Sequence, residues 1–100
     1  MNRYTVFVTP TAWAEMKELP GHLRQRVRRA VKGLAEEPRP ASSKQLITTE
    51  VAQELRRLRL DKWRIVYAVT ENDRVVDVLA VRKRPPYDYG DLTALLQNID

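Results

Sequence analysis

Cysteine is absent from this chain and histidine occurs once, as His22. The first absence excludes disulfides and thiolate metal sites, and the second excludes a metal site built from several imidazoles. His22 stands near a helix start, where a lone histidine is a solvated surface residue, and it is given no role. No apolar run approaches the roughly 20 residues needed to cross a bilayer. The opening "MNRYTVFVTP" holds too few apolar residues for a signal peptide. The expectation is a cytoplasmic protein that does not engage membranes. Internal repeats and low-complexity segments are also lacking.

What is present is a chain of 100 residues, 43% hydrophobic and 31% charged, with a net charge of +5. That length supports one core, so residues 1–100 form a single domain. The basic balance, with a pI near 9.9, favours an anionic partner such as nucleic acid, an acidic protein segment or a phosphorylated ligand. The cations fall in three clusters: Arg24, Arg26, Arg28, Arg29 and Lys32; residues 56 to 64; and Arg82, Lys83 and Arg84.

"RYTVFVT" alternates and is rich in β-branched and aromatic residues, which predicts a strand over residues 3–9. Thr9-Pro10 makes a good N-cap and first helical position. Ala12, Trp13, Met16 and Leu19 then sit at helical spacing as far as Pro20-Gly21. Leu23, Val27, Ala30, Val31 and Leu34 give the stripe of a second, longer helix, whose other face carries the first basic cluster, mainly as a solvated face. The two helices form a hairpin. "EEPRPASS" ends the second helix in a polar loop. Strand periodicity begins near residue 54 and predicts strands over 54–60, 63–70 and 74–82, joined at Asp61-Lys62 and within "TENDR". "RPPYDYG" stops the sheet. Residues 91–99 suit a short amphipathic helix with Leu92, Leu95, Leu96 and Ile99 on one side. The expected fold is α+β, β-α-α-β-β-β followed by that helix.

A two-residue turn at Asp61-Lys62 fixes the register of the first hairpin. Leu60 then pairs with Trp63, Arg59 with Arg64, Leu58 with Ile65 and Arg57 with Val66. One face holds Leu58, Leu60, Trp63, Ile65, Tyr67 and Val69, a floor for the helices. The opposite face gathers Arg57, Arg59 and Arg64. Like charges directly opposite on two strands are destabilising by a few tenths to about 1 kcal/mol, so the cluster is expected to have a use. A plainer reading has these arginines solvated, or neutralised by Asp61, Glu50, Glu54 or Asp77. Three convergent guanidinium groups on a rigid sheet suit a phosphodiester, whose oxygens arginine binds bidentately.

"YTVFVTPTAWAEMKELPGHLRQRVRRAVKGLAEEPRP", "LRRLRLDKWRIVYAV" and "VLAVRKRPPYDY" together resemble the RelE/ParE toxin superfamily of bacterial type II toxin–antitoxin modules. The resemblance spans nearly the whole chain. "RLRLDKWRIVY" and the late "KR" followed by tyrosines are its most specific parts. It implies a RelE-like fold, a curved and mainly antiparallel sheet with a helical hairpin on one face. RelE-type members cleave mRNA in the ribosomal A site without a metal; ParE-type members keep the fold and poison DNA gyrase. Carried over by position, the resemblance makes Arg57, Arg59, Arg64 and Arg84 catalytic, together with Tyr89 or Tyr87. Spacing does not choose between the two tyrosines. Arg56, Lys62, Arg82 and Lys83 are expected to bind RNA beside them.

RelE members often have lysines where this chain has Arg57 and Arg59. A guanidinium that stays protonated stabilises charge on a phosphorane but cannot act as a general base. The remaining base candidates are a tyrosine made acidic by neighbouring arginines, or a carboxylate such as Asp88 or Glu54. A tyrosine could instead stack on an mRNA base and orient it. The function implied is a ribosome-dependent mRNA endonuclease toxin that uses no cofactor and no metal. The alternatives are a ParE-like gyrase poison and a weakly toxic corepressor bound to its antitoxin. Implied partners are a cognate antitoxin, the ribosome and mRNA, with operator DNA reached only through the antitoxin. The antitoxin is expected to cover the arginine face, along with Val66 and Ala68, joined by Leu79 and Val81 if the next turn preserves parity, in place of the terminal helix.

Overall fold

A computed structural model of the protein describes residues 3–46 and 53–83. Arg84, Tyr87, Tyr89 and the expected helix over 91–99 lie outside the described residues. Within them the order is β1 (Thr5–Val8), α1 (Pro10–Lys17), α2 (Gly21–Gly33), β2 (Ser43–Leu46), β3 (Glu54–Leu60), β4 (Trp63–Thr70) and β5 (Val75–Lys83). The strands form one sheet in the order β1-β5-β4-β3-β2. Ladders β2–β3, β3–β4 and β4–β5 are antiparallel, and β1 runs parallel to β5. The α+β, mainly antiparallel expectation therefore holds.

Local chemistry explains the boundaries. Thr9 is extended (φ −67°, ψ 159°) and its Oγ1 accepts the Ala12 N–H, while Pro10 opens α1 at a position where its missing donor costs nothing. Thr9 also ties α1 to the sheet, donating from its backbone N–H and from Oγ1 to the Val78 carbonyl, each at 3.0 Å. The β3–β4 turn is the two-residue Asp61-Lys62, and Asp61 takes a left-handed φ of 55°, which aspartate tolerates better than most side chains.

The sheet's hairpin-facing side meets Ala12, Met16, Leu19, Leu23, Val27, Val31 and Leu34 from the helices. It contributes Leu58, Ile65, Tyr67, Val69, Val76 and Val78, with Leu60 and Trp63 packed at the margin, which is the floor the register requires. Each such side chain, fully buried, contributes on the order of 1.5–3 kcal/mol. Buried Tyr67 keeps its hydroxyl satisfied by donating to the Pro38 carbonyl at 2.7 Å, which draws the loop after α2 onto the sheet.

Four expectations need correction. Ser43–Leu46 is a strand rather than the end of a loop, because its four residues pair with Leu55–Leu58 and cover the sheet's edge. Trp13 is 49% exposed instead of packed in the core; Ala12 and Met16 fill the contact, and the indole carries the Lys17 ammonium 5.5 Å from its ring centre. Val81 lies with the helical core, opposite Ile65. The reason is a register shift between Val66 and Tyr67, which pair with Ala80 and Val78 and leave Leu79 as the extra residue. The fourth concerns Arg56. It pairs with Tyr67 on the hairpin side, where its guanidinium donates to Ser43 Oγ at 3.0 and 3.1 Å and to Glu54 at 3.2 Å. Arg56 is thus turned away from Arg57 and Arg59.

Candidate functional site

The face opposite the helices carries most of the remaining basic strand residues in register. Arg59 pairs with Arg64 across β3–β4, and Arg64 pairs with Arg82 across β4–β5. The result is a row of three arginines on three adjacent strands. Beside it, Lys44 pairs with Arg57, Arg57 with Val66, and Val66 with Ala80. Strand alternation thus puts Lys44, Arg57, Arg59, Arg64 and Arg82 on one side of the sheet. Sequence reasoning missed Lys44, since "SKQL" carries too short an alternation to announce a strand. Lys62 is exposed in the turn, and Lys83 is exposed at the end of β5, opposite Trp63.

Arg64 is the buried centre of the row, 4% exposed. Its Nη1 donates to the carbonyls of Trp63 (3.1 Å) and Asp61 (3.3 Å), which holds the guanidinium against the turn. Its Nε is buried and has no hydrogen-bond partner among the described residues. A buried charged donor left unmade is costly unless something else supplies an acceptor. Arg59 is exposed and Arg57 half-buried, and neither has an ion-pair partner among the described residues.

The carboxylates proposed to neutralise the cluster are engaged elsewhere. Asp61 pairs with Arg26 of α2. Glu54 is gripped by Arg39 at 2.8 and 3.0 Å and by Arg56. The hydrogen bond from Arg39 holds the Glu54 carboxyl below the usual carboxylate range, so Glu54, on the hairpin side, is no base for chemistry on the arginine face. Asp77 faces the arginine side but pairs with Ala68 and Phe7, beyond the apolar patch of Leu55, Val66, Ala68, Leu79 and Ala80. Burial pushes its carboxyl up. Glu50 lies outside the described residues. Glu15 of α1 does reach the row: its Oε2 accepts the Arg82 Nε–H at 3.2 Å. Among the described residues no group of three or more His, Cys, Asp or Glu could hold a metal ion, and no helix is long and apolar enough to cross a membrane.

A family model described as the ParE toxin of the type II toxin–antitoxin system parDE matches residues 6–85. The chain belongs to this family of toxins, within the RelE/ParE superfamily. No curated protein sequence matches it. Among solved structures, the toxin is similar to a chain of the archaeal RelE–RelB complex from Pyrococcus horikoshii OT3, with 25% identity and a TM-score of 0.75 over 85% of this chain and 99% of that one. It is similar to a chain of the Mycobacterium tuberculosis RelBE2 toxin–antitoxin complex, at 25% identity and TM-score 0.69 over 82% and 99% of the two chains. It also shares its fold with the isolated E. coli RelE toxin, at 20% identity and TM-score 0.67 over 91% and 95%.

Proposed function

We propose that the toxin is a ribosome-dependent endonuclease of mRNA that arrests translation and growth. The observation that carries this reading is the row Arg59–Arg64–Arg82, flanked by Arg57 and Lys44, with the Glu15 carboxylate accepting from Arg82. Such a row suits the equatorial oxygens of a phosphorane. In the reaction, the 2′-oxygen of a ribose forms a bond to the adjacent phosphorus, and the bond from phosphorus to the 5′-oxygen breaks. The 2′-hydroxyl proton leaves to a base and the 5′-oxygen gains a proton, which yields a cyclic phosphate and a 5′-hydroxyl. Arg57, Arg59, Arg64 and Arg84 stabilise the charge that develops on the phosphate, each donor contributing about 10²–10³ in rate. Tyr89 or Tyr87 supplies the proton relay or a stacking platform for the base. The ribosome orients the mRNA for in-line attack. Lys62 and Lys83 hold the flanking backbone, and Arg82 binds the phosphate at the end of the row. This activity belongs in the cytoplasm, with ribosomes.

The complexes of the two 25%-identical relatives support a cognate antitoxin as the toxin's partner. Acidic residues on that antitoxin would neutralise Arg57, Arg59 and Arg64 together, and operator DNA would be reached only through it. A second reading, a ParE-like poison of DNA gyrase, is favoured by the description of the family whose model matches. Induced expression followed by mapping of mRNA 5′ ends separates the two. Cuts in register with the reading frame support the endonuclease, whereas DNA damage without frame-dependent cuts overturns it in favour of the gyrase reading.

A further inference from the structure

β1 accompanies β5 only over Val75–Val78. From Leu79 onward that side of β5 has no strand neighbour among the described residues, and its backbone donors must be met some other way. α1 occupies the position. Glu15 Oε1 accepts the Val81 N–H at 2.9 Å while Oε2 accepts the Arg82 Nε–H at 3.2 Å. One carboxylate thereby fixes the main chain of one residue and the side chain of the next. Glu15 is itself rigidly held, because α1 is tied down by Thr9 on Val78 and by buried Ala12 and Met16.

Electrostatics make this contact consequential. Arg82 stands opposite Arg64, which stands opposite Arg59, and like charges at such spacing repel. Repulsion from Arg64 acts to swing the Arg82 side chain away from its neighbour, and the Glu15 carboxylate opposes it. We propose that Glu15 is a positioning residue of the anion site, holding Arg82 in line with Arg64 and Arg59 so that all three face one phosphate. This rests on the endonuclease reading and assigns to α1, a helix otherwise engaged in the core, a part in catalysis. Electrostatic stabilisation depends on donors fixed before charge develops, and a carboxylate on a packed helix supplies that.

The test is single-turnover cleavage of mRNA on programmed ribosomes by the full-length toxin. Glu15→Gln keeps an oxygen to accept the Val81 N–H and removes the charge that holds Arg82. Its cleavage rate at saturating ribosomes is expected to fall on the order of 10- to 100-fold, with the half-saturating concentration changed less than twofold. In an Arg82→Ala background the same substitution should cost nothing more, because Glu15 acts through Arg82. A wild-type rate in Glu15→Gln overturns the proposal. So does an equal further slowing on top of Arg82→Ala, which would mark Glu15 as a fold contact alone. Wild-type toxin that leaves mRNA uncut overturns the endonuclease reading itself, and with it this role.

Discussion

Arg64 stands directly opposite Arg82 across β4 and β5, and a single extra residue, Leu79, puts it there. Had the register set by Tyr67 and Val78 continued unbroken, Arg64 would face Val81. The shift turns Val81 into the helical core and brings a third arginine beside Arg59 and Arg64. This side of the sheet therefore concentrates positive charge at one end and apolar surface beyond it.

Arg64→Ala and Arg84→Ala are each expected to abolish growth inhibition. Removing one charge-stabilising donor lowers the rate on the order of 10²–10³, and Arg64 is the centre of the row. Circular dichroism should be unchanged, since Arg64 donates only to two turn carbonyls among the described residues. Full toxicity of both variants at equal protein levels would exclude the nuclease assignment.

The tyrosines separate by a pair of substitutions at each position. If Tyr89 acts through its hydroxyl, Tyr89→Phe should lose as much activity as Tyr89→Ala; if it stacks on a base, the phenylalanine variant should keep most of it. The same pair at Tyr87 decides which position matters. Activity indifferent to all four changes would mean that neither tyrosine serves the reaction.

Acid should loosen the ends of β3 and β4. Arg39 bridges Glu54 and Glu71, and the Tyr4 hydroxyl donates to Glu71 at 2.8 and 2.9 Å. Hydrogen bonds from Arg39 to Glu54, and from Tyr4 and then Arg39 to Glu71, lower both carboxyls. A carboxyl lowered on folding contributes stability that is present above its unfolded value, about 4.3 for glutamate, and is lost as pH falls through the lower folded value. Urea midpoints measured between pH 7 and pH 2.5 should therefore drop below about pH 4. Arg39→Met should flatten that drop, with only a small loss of stability at pH 7 because the network is half-exposed. An unchanged acid limb in the variant would refute the assignment.

Asp77 has the opposite sign. It is buried, pairs across the sheet with Ala68 and Phe7, and its carboxyl is raised by burial. The stability it contributes is complete below its unfolded value, about 3.9, and is lost as pH rises through the folded one. At pH 7 the ionised side chain is a burden. Asp77→Asn should raise the thermal midpoint by a few degrees at pH 7, where about 1 kcal/mol corresponds to 4–8 °C for a domain of this size, and by less at pH 3. A lower midpoint at pH 7 would show that the ionised form is satisfied.

Much of this protein was legible in its residues. The two-residue turn at Asp61-Lys62 fixed the β3–β4 register, and period-two alternation then assigned Leu58, Ile65 and Tyr67 to one face and Arg57, Arg59 and Arg64 to the other, as observed. The helices were marked by Thr9-Pro10 and by the stripe from Leu23 to Leu34, which are local signals. Long-range pairings were not legible. Short β2, with Lys44 opposite Arg57, exists because it covers a sheet edge, and β1 lies parallel to β5 because the helical hairpin carries the chain across the sheet. The bulge at Leu79 was not legible either, and the grip of Glu15 on Arg82 joins residues 67 apart in sequence, a contact no local pattern encodes. Periodicity is a property of neighbouring residues and survives in the sequence. Which strand receives which partner, and which carboxylate faces which arginine, is decided only when distant segments compete for the same edges and the same buried volume.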